Sequence, residues 1–239
     1  DDYIIPASYL TSFPRLAELA NIEVPILCHQ HSLLFEFYLP SNLTKKIRKF
    51  PTNITGISIE NMINSMVGAK QCDSKEFLIL NNSKLKIVGK LPSKYEEIPI
   101  IKNEDGTLKS LTPENEEYIR VVNETCDVIR SGIDKVIDFI KTQIFLNKEI
   151  RTQEISFSEN NKVLALCDLS SDDAVLEIKT FDIFNSYKAE DIIQQMYYQK
   201  GNRELYAMSV IFELSHTKKG EQRIDNLIFK IYKVEIIKK

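Results

Sequence analysis

The stretch LALCDLSSDDAVLEIKTF, from Leu164 to Phe181, most narrows what this chain can fold into. Two apolar runs of strand length flank a polar Ser-Ser-Asp-Asp segment, the pattern of a β-hairpin. Yet charge is set inside both runs, as Asp168 in the first and as Glu177 and Lys179 in the second. Side chains alternate along a strand, so Glu177 and Lys179 share one face while Leu176 and Ile178 take the other. A tight turn at Asp172-Asp173 would set Leu169 opposite Leu176 and Asp168 opposite Glu177. Two carboxylates directly across a ladder repel and weaken a sheet. A cation between them removes the conflict. Mg²⁺ (or Mn²⁺) suits the place, being a hard ion that takes oxygen ligands and binds through one or two carboxylates. Lys179 alongside could hold a phosphate oxygen or orient a water. Together these groups are equipment for in-line attack on a phosphodiester. Asp172 and Asp173 are read as turn residues, and Asp182 lies beyond the strand.

The surrounding chain supplies a context for this hairpin. TPENEEYIRVVNETCDVIRSGIDKVIDFIKTQIFL opens with Thr112 as N-cap, Pro113 in the first turn and acids after it, a helix start. Tyr118, Ile119, Val122, Cys126, Ile129 and Ile133 recur at three and four residues. Val136, Ile137, Ile140 and Ile144 continue a second apolar set, with Gly132 a point where the helix bends or divides. EIRTQEISFS, NKVLALCDLS and DAVLEIKTF then read as three strands, YKAEDIIQQMYYQK as a helix, and ELYAMSVIFELS and NLIFKIYKVEII as two closing strands. The order is helix, three strands, helix, strands. Before it, SFPRLAELANIEVP is expected as a short helix, HSLLFEFYLP as a strand ending at Pro40, and SIENMINSMVG as a helix capped by Ser58. EFLILNNSKLKIVGKLP and IPIIKNEDGTLKSL are expected as hairpins. The expected division is an N-terminal α+β region over 1–110, for substrate access or partner binding, and a core over 111–239.

Composition sets the remaining bounds. At 239 residues with 43% hydrophobic and 27% charged, the chain can build a sizeable core. A net charge of −3 argues against an indiscriminate nucleic-acid coat but leaves room for a local basic patch. The four cysteines form no C-x-x-C pair. Three of them sit among apolar neighbours and are expected as buried free thiols, which fits an intracellular setting, cytoplasmic or nuclear. No apolar run spans a membrane. The opening Asp1-Asp2-Tyr3 has no signal-peptide pattern and is read as the start of a domain from a longer parent chain or larger assembly.

Asp168, nine residues on Glu177, and then Ile178-Lys179 resemble the D…(D/E)-x-K signature of the PD-(D/E)XK nuclease superfamily. The residue before the aspartate is Cys167, where the nominal pattern has Pro. The element order from 113 to 236 is also similar to that family's core. Gln194 and Tyr198 match the Q-x-x-x-Y of its RecB-like, λ-exonuclease-like branch. The resemblance implies a restriction-endonuclease-like α+β fold and a metal-dependent deoxyribonuclease. Asp168, Glu177 and the Ile178 carbonyl would hold the ion, and Lys179 would activate or position water. An acid from the first helix or first strand, Glu124 or Glu154, would complete the site, with Glu154 preferred for its strand. Gln194, Tyr198 and the basic segment of Lys218, Lys219 and Arg223 would hold DNA. The alternative reading of Asp168, Glu177 and Lys179 is a solvated strand face with Glu–Lys pairing across an edge, and that of Gln194 with Tyr198 is the polar side of an amphipathic helix. His29 and His31 share a strand face but lack further ligands, so they read as core or surface histidines. The alternative function is a catalytically inactive nuclease-like scaffold within a nucleic-acid-processing assembly.

Overall fold

The computed structural model describes residues 3–4, 26–45, 52–72, 85–86, 113–157, 164–217 and 221–239. The expected 12–25 helix and the 98–111 hairpin lie outside these, as do Thr112, Lys218 and Lys219. Of the expected hairpin at 76–92, only Leu85–Lys86 is described.

The architecture is mixed α+β. In chain order the elements are β1 (Tyr3–Ile4), β2 (Leu27–Lys45), α1 (Thr52–Met66), β3 (Lys70–Gln71), β4 (Leu85–Lys86), α2 (Pro113–Gly132) and α3 (Asp134–Phe139). A π-helical turn over Ile140–Ile144 follows. Then come β5 (Arg151–Phe157), β6 (Leu164–Ser170), β7 (Ala174–Lys179), α4 (Ala189–Lys200), β8 (Glu204–His216) and β9 (Gln222–Lys238). A seven-stranded sheet runs β2-β9-β8-β7-β6-β5-β3, and β1 pairs with β4 in a small separate sheet. β7 and β8 run parallel, joined through α4, and β3 runs parallel to β5.

Strand alternation divides the large sheet into two faces. Leu176, Ile178, Met208, Val210, Phe229 and Ile231 pack with Ile59, Ile63, Ile129, Ile133, Ile140 and Ile144 of α1, α2 and the segment after it. The opposite face carries Val175, Leu205, Ala207, Tyr232 and Val234 against Ile192, Ile193 and Met196 of α4. Each face is thus sealed by amphipathic helices whose apolar residues recur at the period the sequence displays. Phe229 is fully buried at the centre of the long β8–β9 pair. Phe229→Ala is expected to cost about 3–5 kcal/mol in chemical denaturation.

Several expectations change. The sheet crosses the expected boundary at 110: β2 pairs with β9 along nearly its whole length, β3 pairs with β5, and Ile59 and Ile63 share the main core. β2 runs past Pro40 because it is an edge strand, and the register shifts between Pro40 and Leu43, where a residue without an N–H is tolerated. α1 begins at Thr52, so Ser58 is interior to the helix and does not cap it. The helix ends as expected before Gly68, whose φ of 73° makes a left-handed turn that glycine accommodates without strain. α2 and α3 divide at Gly132-Ile133, as the glycine suggested. Of the four free cysteines only Cys167 is buried, the others being half-exposed.

Candidate active site

A short turn builds the hairpin. Ser171 N–H donates to the Ala174 carbonyl at 2.8 Å, and the Ser171 hydroxyl accepts N–H bonds from Asp173 and Ala174. Leu169 therefore pairs with Leu176 and Ser170 with Val175, the register inferred from the sequence. Beyond Leu169 the strands part. Asp168 is not a ladder partner of Glu177. Its carboxylate instead reaches across, and Oδ2 accepts the Ile178 N–H at 2.9 Å. The side chain takes the place of a strand carbonyl.

A break in alternation makes this reach available. Cys167 and Leu169 are two residues apart, yet they pack into clusters on opposite faces of the sheet. On neighbouring β5, Gln153 adopts φ 59° between Thr152 and Glu154, which pair with Leu169 and Cys167. A left-handed residue inside a strand re-aims its neighbours, as bulges next to functional sites do.

The charged groups meet at one point. Lys179 Nζ forms an ion pair with Glu177 Oε1, lies 3.5 Å from Asp168 Oδ2 and donates to the Ile178 carbonyl at 3.3 Å. The Asp168 and Glu177 side chains are 4% and 0% exposed, and the Lys179 side chain is 20% exposed. Buried carboxylates need charge partners and hydrogen bonds to remain ionised. Glu177 receives them from α4: the Gln195 amide donates to Oε1 at 3.2 Å and the Gln199 amide to Oε2 at 2.9 Å.

This point stands where the residues along the sheet change from apolar to polar. Glu177 lies in register with Ala207 and Tyr232, which belong to the cluster beneath α4. One row further along, Lys179 lies in register with Ser209, Lys230 and Glu36. The Ser209 hydroxyl accepts the Ile183 N–H at 3.1 Å, pinning the segment that leaves Lys179. On the other side, Gly56 of α1 comes so close to Thr180 that an added Cβ would lie 2.6 Å from its hydroxyl.

The other expected site residues are placed differently. Gln194 is buried and Tyr198 half-buried on α4, where burial raises the Tyr198 hydroxyl pKa. The amides that reach Glu177 come from the next positions along, Gln195 and Gln199. That signal was present in the sequence as a second pair of residues four apart, on a face rotated by one position. Glu154 sits on β5 between two guanidiniums, 2.5 Å from Arg203 and 3.3 Å from Arg151. Glu124 pairs with Arg120 on α2 at 2.5 Å. Neither joins Asp168 and Glu177, for among the described residues no group of three His, Cys, Asp or Glu is placed to hold a metal. Arg223 pairs with Asp225 and lies opposite Ser215, six residues beyond Ser209, so about 20 Å along β8 from the Lys179 row. His29 and His31 stack with Phe184, the His31 and Phe184 rings being 3.8 Å apart and nearly parallel. They serve packing at the sheet edge.

Glu154 carries a pH prediction. Burial works against its charge, yet Arg203 and Arg151 help hold its carboxyl below the usual 4.5. A depressed carboxyl stabilises the fold above its unfolded pKa, and that contribution fades as pH falls through the folded value. Glu154→Gln should therefore cost about 1–2 kcal/mol at pH 7. Urea titration should show the difference from wild type shrinking steadily below about pH 4.

The donor set is entirely oxygen: two carboxylates and a backbone carbonyl around the Lys179 ammonium. That chemistry fits Mg²⁺ or Mn²⁺, which use few protein ligands and retain water. No described helix is long and apolar enough to cross a membrane. No family model, curated protein or solved structure matches the chain.

Proposed function

We propose that this protein is a Mg²⁺- or Mn²⁺-dependent nuclease, with a restriction-endonuclease-like core, that hydrolyses DNA phosphodiester bonds inside the cell. One observation supports the reading: the buried carboxylates of Asp168 and Glu177 and the carbonyl of Ile178 converge on the Lys179 ammonium, a positive charge whose place a metal ion would take. Asp168, Glu177 and the Ile178 carbonyl would hold the ion. When bound, a divalent ion supplies charge neutralisation and Lewis acidity at a phosphoryl oxygen. The Ile178 N–H fixes the Asp168 carboxylate, and Gln195 with Gln199 fix that of Glu177. The Lys179 ammonium, the most exposed of the three charged groups, turns to the substrate, where it holds a phosphate oxygen and orients the attacking water. Water oxygen bonds to phosphorus, the opposite P–O bond breaks, and a proton passes to the departing oxygen. Single- and double-stranded DNA incubated with wild type and Mg²⁺ should be cut, and EDTA or Asp168→Ala should stop the cutting. Cutting that survives Asp168→Ala would remove the proposed site.

A second reading has an observation of its own. Lys179 already fills the point of convergence, and both Glu177 oxygens are taken by glutamine amides. That arrangement also suits an inactive nuclease-like scaffold that holds DNA or a partner within an assembly. It predicts no cleavage with any divalent ion and no metal-dependent change in stability.

A further inference from the structure

Arg203 lies three residues beyond the end of α4, and its guanidinium binds groups on α4, the hairpin turn, β5 and β6. Towards α4, it donates to the Gln199 carbonyl at 2.8 Å and to the Lys200 carbonyl at 3.4 Å. These are carbonyls that a helix end leaves unsatisfied. Towards the hairpin turn, it donates to the Ser171 carbonyl at 3.2 Å. Towards β5 and β6, it pairs with Glu154 at 2.5 Å and meets the Cys167 sulfur at 3.7 Å, one residue before Asp168. The Arg203 side chain is only 13% exposed. Gln199 thus does two things at once: its carbonyl is held by Arg203 while its amide holds Glu177 Oε2.

We infer that Arg203, oriented by Glu154, is a positioning residue for Glu177, acting through the last turn of α4. The inference rests on the cation-site reading above. The planar guanidinium matters because it aims separate N–H groups at Glu154, Ser171 and Gln199 together. A lysine at this position could keep the ion pair with Glu154 but is a point charge without that fork. Glu154 consequently has a task other than metal ligation: it fixes the group that fixes the helix end.

The test compares wild type with Arg203→Lys by two readouts. One is the Gln199 side-chain amide resonance in a ¹⁵N-labelled sample. The other is affinity for Mn²⁺, titrated as the metal alone. Positioning predicts that Arg203→Lys folds, that the Gln199 amide resonance moves, and that Mn²⁺ binding weakens roughly 10–100-fold, as loss of an outer-shell partner does. In a cleavage assay kcat should fall while KM for the oligonucleotide holds. A folded Arg203→Lys protein with an unmoved Gln199 resonance overturns the inference. So does an unchanged Mn²⁺ affinity. If wild type binds no Mn²⁺, the cation-site reading fails by itself, and the Gln199 resonance still decides the positioning link. If Arg203→Lys does not fold, Glu154→Gln takes its place with the same readouts and the same overturning results.

Discussion

Glu177→Ala is expected to destabilise the protein by about 3–5 kcal/mol, the loss seen when one member of a buried charge cluster is removed. For a chain of this size that lowers Tm by roughly 10 °C. The Glu177 side chain is fully buried and accepts from the Lys179 ammonium and from the Gln195 and Gln199 amides. Alanine would leave two glutamine amides facing a cavity and return the ammonium to Asp168 alone among these groups. Glu177→Gln preserves shape and one acceptor oxygen, so its cost should be smaller. Denaturant titration of the three proteins gives the ordering directly. An alanine variant within about 0.5 kcal/mol of wild type would mean that the cluster contributes nothing to the fold.

Lys179→Met should produce the second large effect, and one that a divalent ion reverses. The substitution leaves Asp168 and Glu177, both buried, without the ammonium that joins them. Removing one partner of a buried charge pair costs about 3–5 kcal/mol when no ion is supplied. A metal that binds only the folded state restores about 2.7 kcal/mol at a concentration one hundred times its Kd. In wild type the ion must first displace Lys179, so its stabilising effect should be smaller there. Thermal melts with and without Mn²⁺ should show a larger upward shift for Lys179→Met than for wild type. An equal or smaller shift in the variant would show that the lysine does not stand in a cation's place. The same substitution should remove cleavage, since the ammonium is the group proposed to meet substrate.

The hairpin was legible because its information is local. A four-residue turn with Ser171 at its head fixes the pairing of Leu169 with Leu176, and alternation then fixes the face of Glu177 and Lys179. The helices beginning at Pro113 and Ala189 were legible for the same reason, each announcing itself by period. What escaped was non-local. Nothing in Leu27–Lys45 names β9 as its partner, since strand pairing over about two hundred residues depends on the whole sheet. Expecting a boundary at 110 followed from reading texture along the chain, while the sheet gathers strands from both sides of it. Asp168 was placed opposite Glu177 on the assumption of regular alternation. The break between Cys167 and Leu169, with Gln153 at φ 59°, leaves no mark in residue type. Gln195 and Gln199 escaped because adjacent faces of α4 carry similar polar residues, and only the packing of that helix on β7 selects between them. Glu154 was expected as a ligand because the resemblance places an acid on the first helix or first strand, and an acid there still needs a cation. It has one, in Arg203 and Arg151.

The account depends on Asp168 and Glu177 forming a divalent-cation site. Calorimetric titration of Mn²⁺ into wild type and into Asp168→Asn tests it most directly. The account predicts binding of Mn²⁺ by wild type and its loss in the variant, with the variant still folded by circular dichroism. Binding undiminished in Asp168→Asn, or no binding by wild type, would contradict it.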